Sequence, residues 1–291
     1  MALERRYRIL PGSTRVRWTR MTAEADGNAH EESPAAVLLE VAYDGTAFHG
    51  YAKQVPEIRT VADTLKHAVD TIDERAGVLR GSSRTDTGVH ARAQLVAFDA
   101  ELRIPPKGWV LGLNRHLPDD VVVRRAFDVP RGFDPRSFID WKRYAYRICT
   151  SRVRDPMEHN RAWHVHDPLD LDLLREELGA ILGTHDFRAF RTAQDERTET
   201  TRTILEATAV PVESAVEVFV RGNGFMHNMV RIIVGTVIDV ARGRKKPGAT
   251  RRAIASGIRT DLGMTAPPQG LTLLETKLTS AAPLGEWWPS S

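Results

Sequence analysis

Over Val37–Tyr43 the chain alternates, with Val37, Leu39, Val41 and Tyr43 on one side and Leu38, Glu40 and Ala42 on the other. The run stops at Asp44-Gly45, so the pattern predicts a strand delivered into a turn. From Thr60 to Ile72 the period changes: Val61, Leu65, Ala68, Val69 and Ile72 recur at helical spacing, with Thr60 where an N-cap is wanted. A second helix is expected to start after Pro105-Pro106 and to run through Trp109, Leu111 and Leu113 to His116. Leu95–Phe98, Val121–Phe127 and Arg143–Cys149 read as strands. The second half uses the same grammar. A helix is predicted over Leu169–Leu182, with Leu173, Leu174, Leu178 and Ile181 on one side. Thr203–Val210 and Ala215–Arg221 form an expected strand pair with a turn near Pro211, followed by helices over Phe225–Ala241 and Arg251–Ile258 and a last strand over Leu271–Leu278. Strands and helices mixed in both halves predict an α+β protein of two lobes sharing a continuous sheet. The expected boundaries are a mobile extension over 1–34, where no periodicity persists, lobes over 35–150 and 151–280, and a tail over 281–291.

The predicted helix Phe225–Ala241 is apolar on nearly every side, yet Arg231 stands in its middle. Three and four positions away are His227, Asn228, Val234 and Gly235, none of them an acid. A guanidinium buried without a partner is costly, so a carboxylate from elsewhere must meet it. Asp86 is the candidate. It lies in the polar run Ser82-Ser83-Arg84-Thr85-Asp86-Thr87-Gly88-Val89-His90-Ala91, two residues after Arg84 and two before Gly88, which frees the backbone to turn. The competing readings are an exposed stripe of Arg231, His227 and Asn228, and an Asp86 that merely forms a surface ion pair or turn. Tyr144 and Tyr146 share one face of a predicted strand, opposite Arg143, Ala145 and Arg147. Either is a core residue by packing statistics, or a platform for an unpaired base.

Charge narrows the picture only slightly. A net charge of +3 over 291 residues does not by itself indicate nucleic-acid binding, but arginines cluster at 124–125, 131–154, 188–202 and 242–252. Their planar forks suit phosphate, and solvated faces balanced by acids are the plain alternative. Cys149 is the single cysteine, so no internal disulfide and no thiolate metal cluster can form. The ten histidines lack ligand spacing, and no metal or cofactor is expected. No apolar run is long enough for a membrane span, and the expected location is cytoplasmic.

The words around these residues closely resemble those of the TruA family of tRNA pseudouridine synthases. Arg84-Thr85-Asp86-x-Gly88-Val89-His90-Ala91 is similar to its catalytic signature. It is accompanied in order by Tyr43–Tyr51, Lys142-Arg143-Tyr144-Ala145-Tyr146, His185-Asp186-Phe187, Gly222–Arg231 and Ala266-Pro267-Pro268-Gln269-Gly270-Leu271. The resemblance implies two ferredoxin-like lobes around a cleft and isomerisation of uridine to pseudouridine without cofactor. It assigns Asp86 as the catalytic acid, Arg231 as its partner, Tyr144 as the residue stacked on the uracil, and Arg84 as the one that displaces the base. His90, Lys142 and Arg143 are further expected substrate contacts. The implied substrate is the tRNA anticodon stem-loop at positions 38 to 40, bound by a homodimer. Alternatives are the same chemistry on another RNA or position, or a non-catalytic RNA-binding protein on this scaffold. A hydrolase built on Ser82 or Ser83 lacks a Gly-x-Ser-x-Gly elbow. Tyr51-Ala52 stands where the family has Trp-Gln, Phe133-Asp134-Pro135-Arg136 replaces Phe-His-Ala-Arg, and Ser83 and Thr87 occupy glycine and alanine positions.

Overall fold

The structure is a computed structural model that describes residues 36–55, 57–192 and 198–289. The predicted extension over 1–34 lies outside the described residues. In chain order the elements are β1 (Ala36–Tyr43), α1 (Val61–Ile72), β2 (Arg80–Gly81), β3 (His90–Asp99), α2 (Pro106–His116), β4 (Val121–Val129) and β5 (Ile139–Cys149). They continue as β6 (Trp163–His164), α3 (Leu171–Gly179), β7 (Gly183–Asp186), β8 (Thr201–Val212), β9 (Ala215–Gly222), α4 (Met229–Ala241), α5 (Ala249–Ser256), β10 (Leu271–Leu278) and β11 (Trp287–Trp288).

All the strands belong to one sheet in the order β11-β4-β1-β3-β10-β5-β9-β8-β7, with β2 added on β3 and β6 on β5. The pairings are antiparallel except β10 with β3 and β6 with β5. The protein is thus a mixed helix and strand fold on a large, mostly antiparallel sheet. β10, late in the chain, lies between β3 and β5, so the strands of the two sequence halves interleave at the centre. The segment expected as a tail supplies β11, whose Trp287 stacks on Phe127 of β4 at 5.8 Å.

The amphipathic helices form where the spacing predicts them. Thr60 caps α1 by accepting from the Asp63 amide at 3.2 Å, and α1 buries Val61, Leu65, Ala68 and Val69. Trp109 of α2 is fully buried edge-on to Phe98 of β3, 5.2 Å between ring centres. In the other half α3 packs on α4 and β8. There α4 buries every residue from Met229 to Ala241 except Arg231, and each fully buried Val or Ile contributes roughly 1.5–3 kcal/mol. The predicted ends of three helices shift, α5 running over Ala249–Ser256 in place of Arg251–Ile258. α3 begins at Leu171 because the Asp170 carboxylate accepts from the Asp172 and Leu173 amides, and it ends early as the chain enters β7 at Gly183. α4 begins at Met229 and not at Phe225, because Asn228 adopts a left-handed backbone with φ 60°. The hairpin between β8 and β9 turns at Glu213-Ser214, and Pro211 lies inside β8, beyond the stretch that pairs with β7, where its missing N–H is harmless.

β5 divides its residues as the alternation requires. Tyr144, Tyr146 and Ile148 enter the core that contains α4, while Arg143 and Arg147 project from the other face. There Arg143 meets Glu206 at 2.9 Å and Glu275 at 3.6 Å, and Arg147 meets Glu158 and Glu217. Cys149 is a buried free thiol. Among the described residues no helix is long and apolar enough to cross a membrane, and no group of three or more His, Cys, Asp or Glu side chains is arranged to hold a metal ion.

Candidate active site

The polar run after β2 is a tightly held loop. Its Ser82 amide donates to Leu95 O at 2.8 Å, and Gln94, fully buried on β3, donates to Ser83 O at 2.6 Å. Tyr43 and Thr85 share a buried hydroxyl–hydroxyl bond of 2.7 Å, and the Tyr51 amide donates to Thr85 O. Lys142 donates its ammonium to Ser82 O at 2.7 Å. The backbone then turns, with the Val89 amide donating to Asp86 O at 3.1 Å and Gly88 at φ 77°, the left-handed third position that favours glycine. In this loop the Asp86 side chain is only 16% exposed.

Arg231 of α4 reaches the same point from the other half of the chain. Its Nη1 donates to Asp86 Oδ2 at 3.0 Å and to Asn228 Oδ1 at 2.6 Å, and its Nε to Ala266 O at 2.8 Å. At 15% exposure this is a sheltered ion pair with most of its donors satisfied, not a member of an exposed stripe. The other oxygen, Asp86 Oδ1, lies 3.1 Å from His227 Nε2. His227 is 45% exposed on the open side, and its Nδ1 is 3.3 Å from Thr192 Oγ1. Asp86 therefore forms the floor of a cleft of about 880 Å³ whose walls include Arg84, Lys142, Tyr144, Phe225, His227 and Pro268.

Tyr144 presents its ring to this cleft, held edge-on by Phe225 at 5.2 Å. Burial pushes its phenol up to about 12, so it stays protonated; the nearby Ser83 hydroxyl, which makes no well-aligned hydrogen bond, eases that shift slightly. Tyr146 is wholly buried and donates to Pro267 O at 2.7 Å. Arg84 is exposed on the rim and makes no hydrogen bond or ion pair with the described residues.

Two expected substrate contacts lie elsewhere. Arg143 faces away from the cleft, engaged by Glu206 and Glu275 and lying 4.7 Å over the Phe219 ring, because neighbours on a strand point to opposite faces. His90 is enclosed at 4% side-chain exposure and bonds within the protein. Its Nδ1 accepts from the Gly45 amide at 3.0 Å, and its Nε2 lies 2.9 and 3.1 Å from the carbonyls of Asn160 and Gln269. Burial lowers its pKa and keeps the ring neutral, so its 3.1 Å approach to Asp44 is not an ion pair. Conversely, the sequence reading left His227 and Asn228 out of the site. Both stand in the Gly222–Arg231 word at three and four positions before Arg231, the signal from which they could have been found.

A family model described as tRNA pseudouridine synthase matches residues 40–136 and 179–277. The tRNA pseudouridine synthase A of Thermoanaerobacter sp. (strain X514) is 38% identical over 239 residues, covering 82% of this chain and 98% of that one. That of Halalkalibacterium halodurans is 41% identical over 244 residues, 83% of this chain and 92% of the relative. A chain of a Cbf5-Nop10-Gar1 complex overlays with a TM-score of 0.31 at 11% identity, over 82% of this chain and 58% of that one, a likeness too slight to bear on the fold. The two matched segments contain both Asp86 and Arg231, and the relatives are matched over almost their whole length: the chain belongs to the TruA family of tRNA pseudouridine synthases, isomerases that act on RNA.

Proposed function

We propose that the protein converts uridine to pseudouridine in the anticodon stem-loop of tRNA, at positions 38 to 40, with Asp86 as the catalytic carboxylate. The observation that carries this reading is a single sheltered acid on the floor of an open cleft, held by a guanidinium on one oxygen and an imidazole on the other, beside an aromatic ring. The reaction breaks the bond from N1 to the sugar C1′, turns the base, and joins C5 to C1′. Asp86 attacks C1′ or the base, or takes a proton from C2′. Each route needs an ionised carboxylate kept from bulk water. Arg231 holds it charged and oriented. Tyr144 stacks on the uracil once the nucleotide leaves its helix, and Arg84, unengaged on the rim, enters the gap. Lys142 supports the loop through Ser82 and adds positive charge to the cleft wall.

The same reading makes residues 35–150 and 151–280 two ferredoxin-like lobes about the cleft, joined through β10, in a homodimer acting in the cytoplasm. Position and RNA class are tested together by mapping pseudouridine in total RNA from cells with and without the gene. Asp86→Asn keeps size and shape but removes the charge. It is expected to lower turnover by about 10³-fold or more while RNA affinity stays near that of the unaltered protein. Retained turnover in this variant would overturn the assignment of Asp86.

A further inference from the structure

Uridine carries no proton on N1 and one on C5, whereas pseudouridine carries a proton on N1 and none on C5. Isomerisation therefore requires one proton to be delivered to N1 and one removed from C5, whichever route Asp86 takes. Because C5 ends bonded to the same C1′ that N1 left, both atoms occupy the same place in turn. A single stationary proton carrier beside that place can serve both steps.

On this proposed reaction, we infer that His227 is that carrier. Its Nε2 lies 3.1 Å from Asp86 Oδ1, the carboxylate oxygen not bonded to Arg231, so Nε2 stands beside the atom through which Asp86 would meet the substrate. The ring belongs to the cleft wall and is 45% exposed, which leaves it open to a ligand. As imidazolium it donates Nε2–H to Asp86 and Nδ1–H towards Thr192 Oγ1 at 3.3 Å, satisfying both contacts. When the N1–C1′ bond breaks, the Nε2 proton passes to N1 and the ring becomes neutral. After C5–C1′ forms, Nε2 takes the C5 proton as those C–H electrons restore the aromatic uracil. The imidazolium is regenerated and nothing else is consumed.

The other cleft groups suit this task poorly. Arg84 and Arg231 do not deprotonate, and Tyr144 is kept protonated by burial. Lys142 is directed at Ser82 O. His49 lines the cleft but makes no hydrogen bond to Asp86. An imidazole nitrogen, by contrast, can both give and take a proton.

The test uses the full-length protein, a tRNA transcript, and the same transcript made with uridine deuterated at C5. His227→Gln and His227→Ala are expected to lower kcat by about 10²–10³-fold with KM little changed. In both, C5 deprotonation becomes limiting, so a primary isotope effect larger than that of the unaltered protein appears, and free imidazole restores part of the rate to His227→Ala. Full turnover in the variants overturns the inference. So does a reduced rate with neither an enlarged isotope effect nor rescue, which would make His227 a mere prop for Asp86. An unaltered protein that makes no pseudouridine overturns instead the reading on which this rests.

Discussion

At the scale of single residues, the site is an answer to two burial problems. Arg231 interrupts a helix that is otherwise wholly enclosed, and Asp86 sits at 16% exposure on a loop that offers it no cation of its own within reach. Each removes the other's penalty at 3.0 Å. This pairing was legible from the amino-acid order, because an apolar helix with a central arginine and no neighbouring acid demands a distant one. The imidazole on the second oxygen was left out, although His227 stands four positions before Arg231, because its approach to Asp86 also depends on the backbone turn at Asn228. Arg231→Ala is expected to lower unfolding stability by about 3 kcal/mol, the low end for a broken buried pair because His227 remains, and to abolish turnover. Urea unfolding and a pseudouridine assay check both; a stable, active variant would mean the guanidinium is dispensable.

At the scale of elements, most helices and strands followed from periodicity and caps, as Thr60 illustrates. Short strands did not. β2, β6 and β11 have two residues each and exist only because a longer neighbour offers free backbone groups. Phe225–Asn228 looked helical because it is apolar, yet it forms a crossing loop that sets Phe225 against Tyr144 and His227 over Asp86. The contact between α4 and the segment before β10 depends on Gly235. A Cβ there would lie 1.9 Å from Met264 O and 3.0 Å from the Ala266 amide, both backbone atoms. Gly235→Ala should therefore push that segment outward, weakening the Ala266 amide bond to Arg231 O as well as the Arg231 Nε bond to Ala266 O. Expected are a loss of about 1–3 kcal/mol in thermal or urea unfolding and a slower reaction without contact to RNA. Wild-type values for both would show that the segment yields freely.

Across the whole molecule, the order of strands was not legible in the local pattern. No periodicity indicates that residues 271–278 lie between β3 and β5, or that Trp287 and Trp288 return to the far edge. That edge has a pH dependence. Burial first, and then the charge of Glu286, raises Asp128 from 3.8 to about 6. The folded state thus binds this proton more tightly than the unfolded chain, so the associated stability is complete below 3.8 and is lost as pH rises towards 6. Amide exchange at 284–289, corrected for its intrinsic rate, should speed up between about pH 4 and about pH 6, and Asp128→Asn should flatten that change. An unchanged profile in Asp128→Asn would assign the effect to other groups.

The central place of β10 has a consequence for biosynthesis. β3 and β5 are not bonded to each other, and the strip that lies between them is made after both. A nascent chain still lacking residues 271–278 has both partners of the ion pair, Asp86 and Arg231, already synthesised but lacks the strand that joins β3 to β5. Completion of the sheet beneath the site thus waits on a strand made after both of those partners.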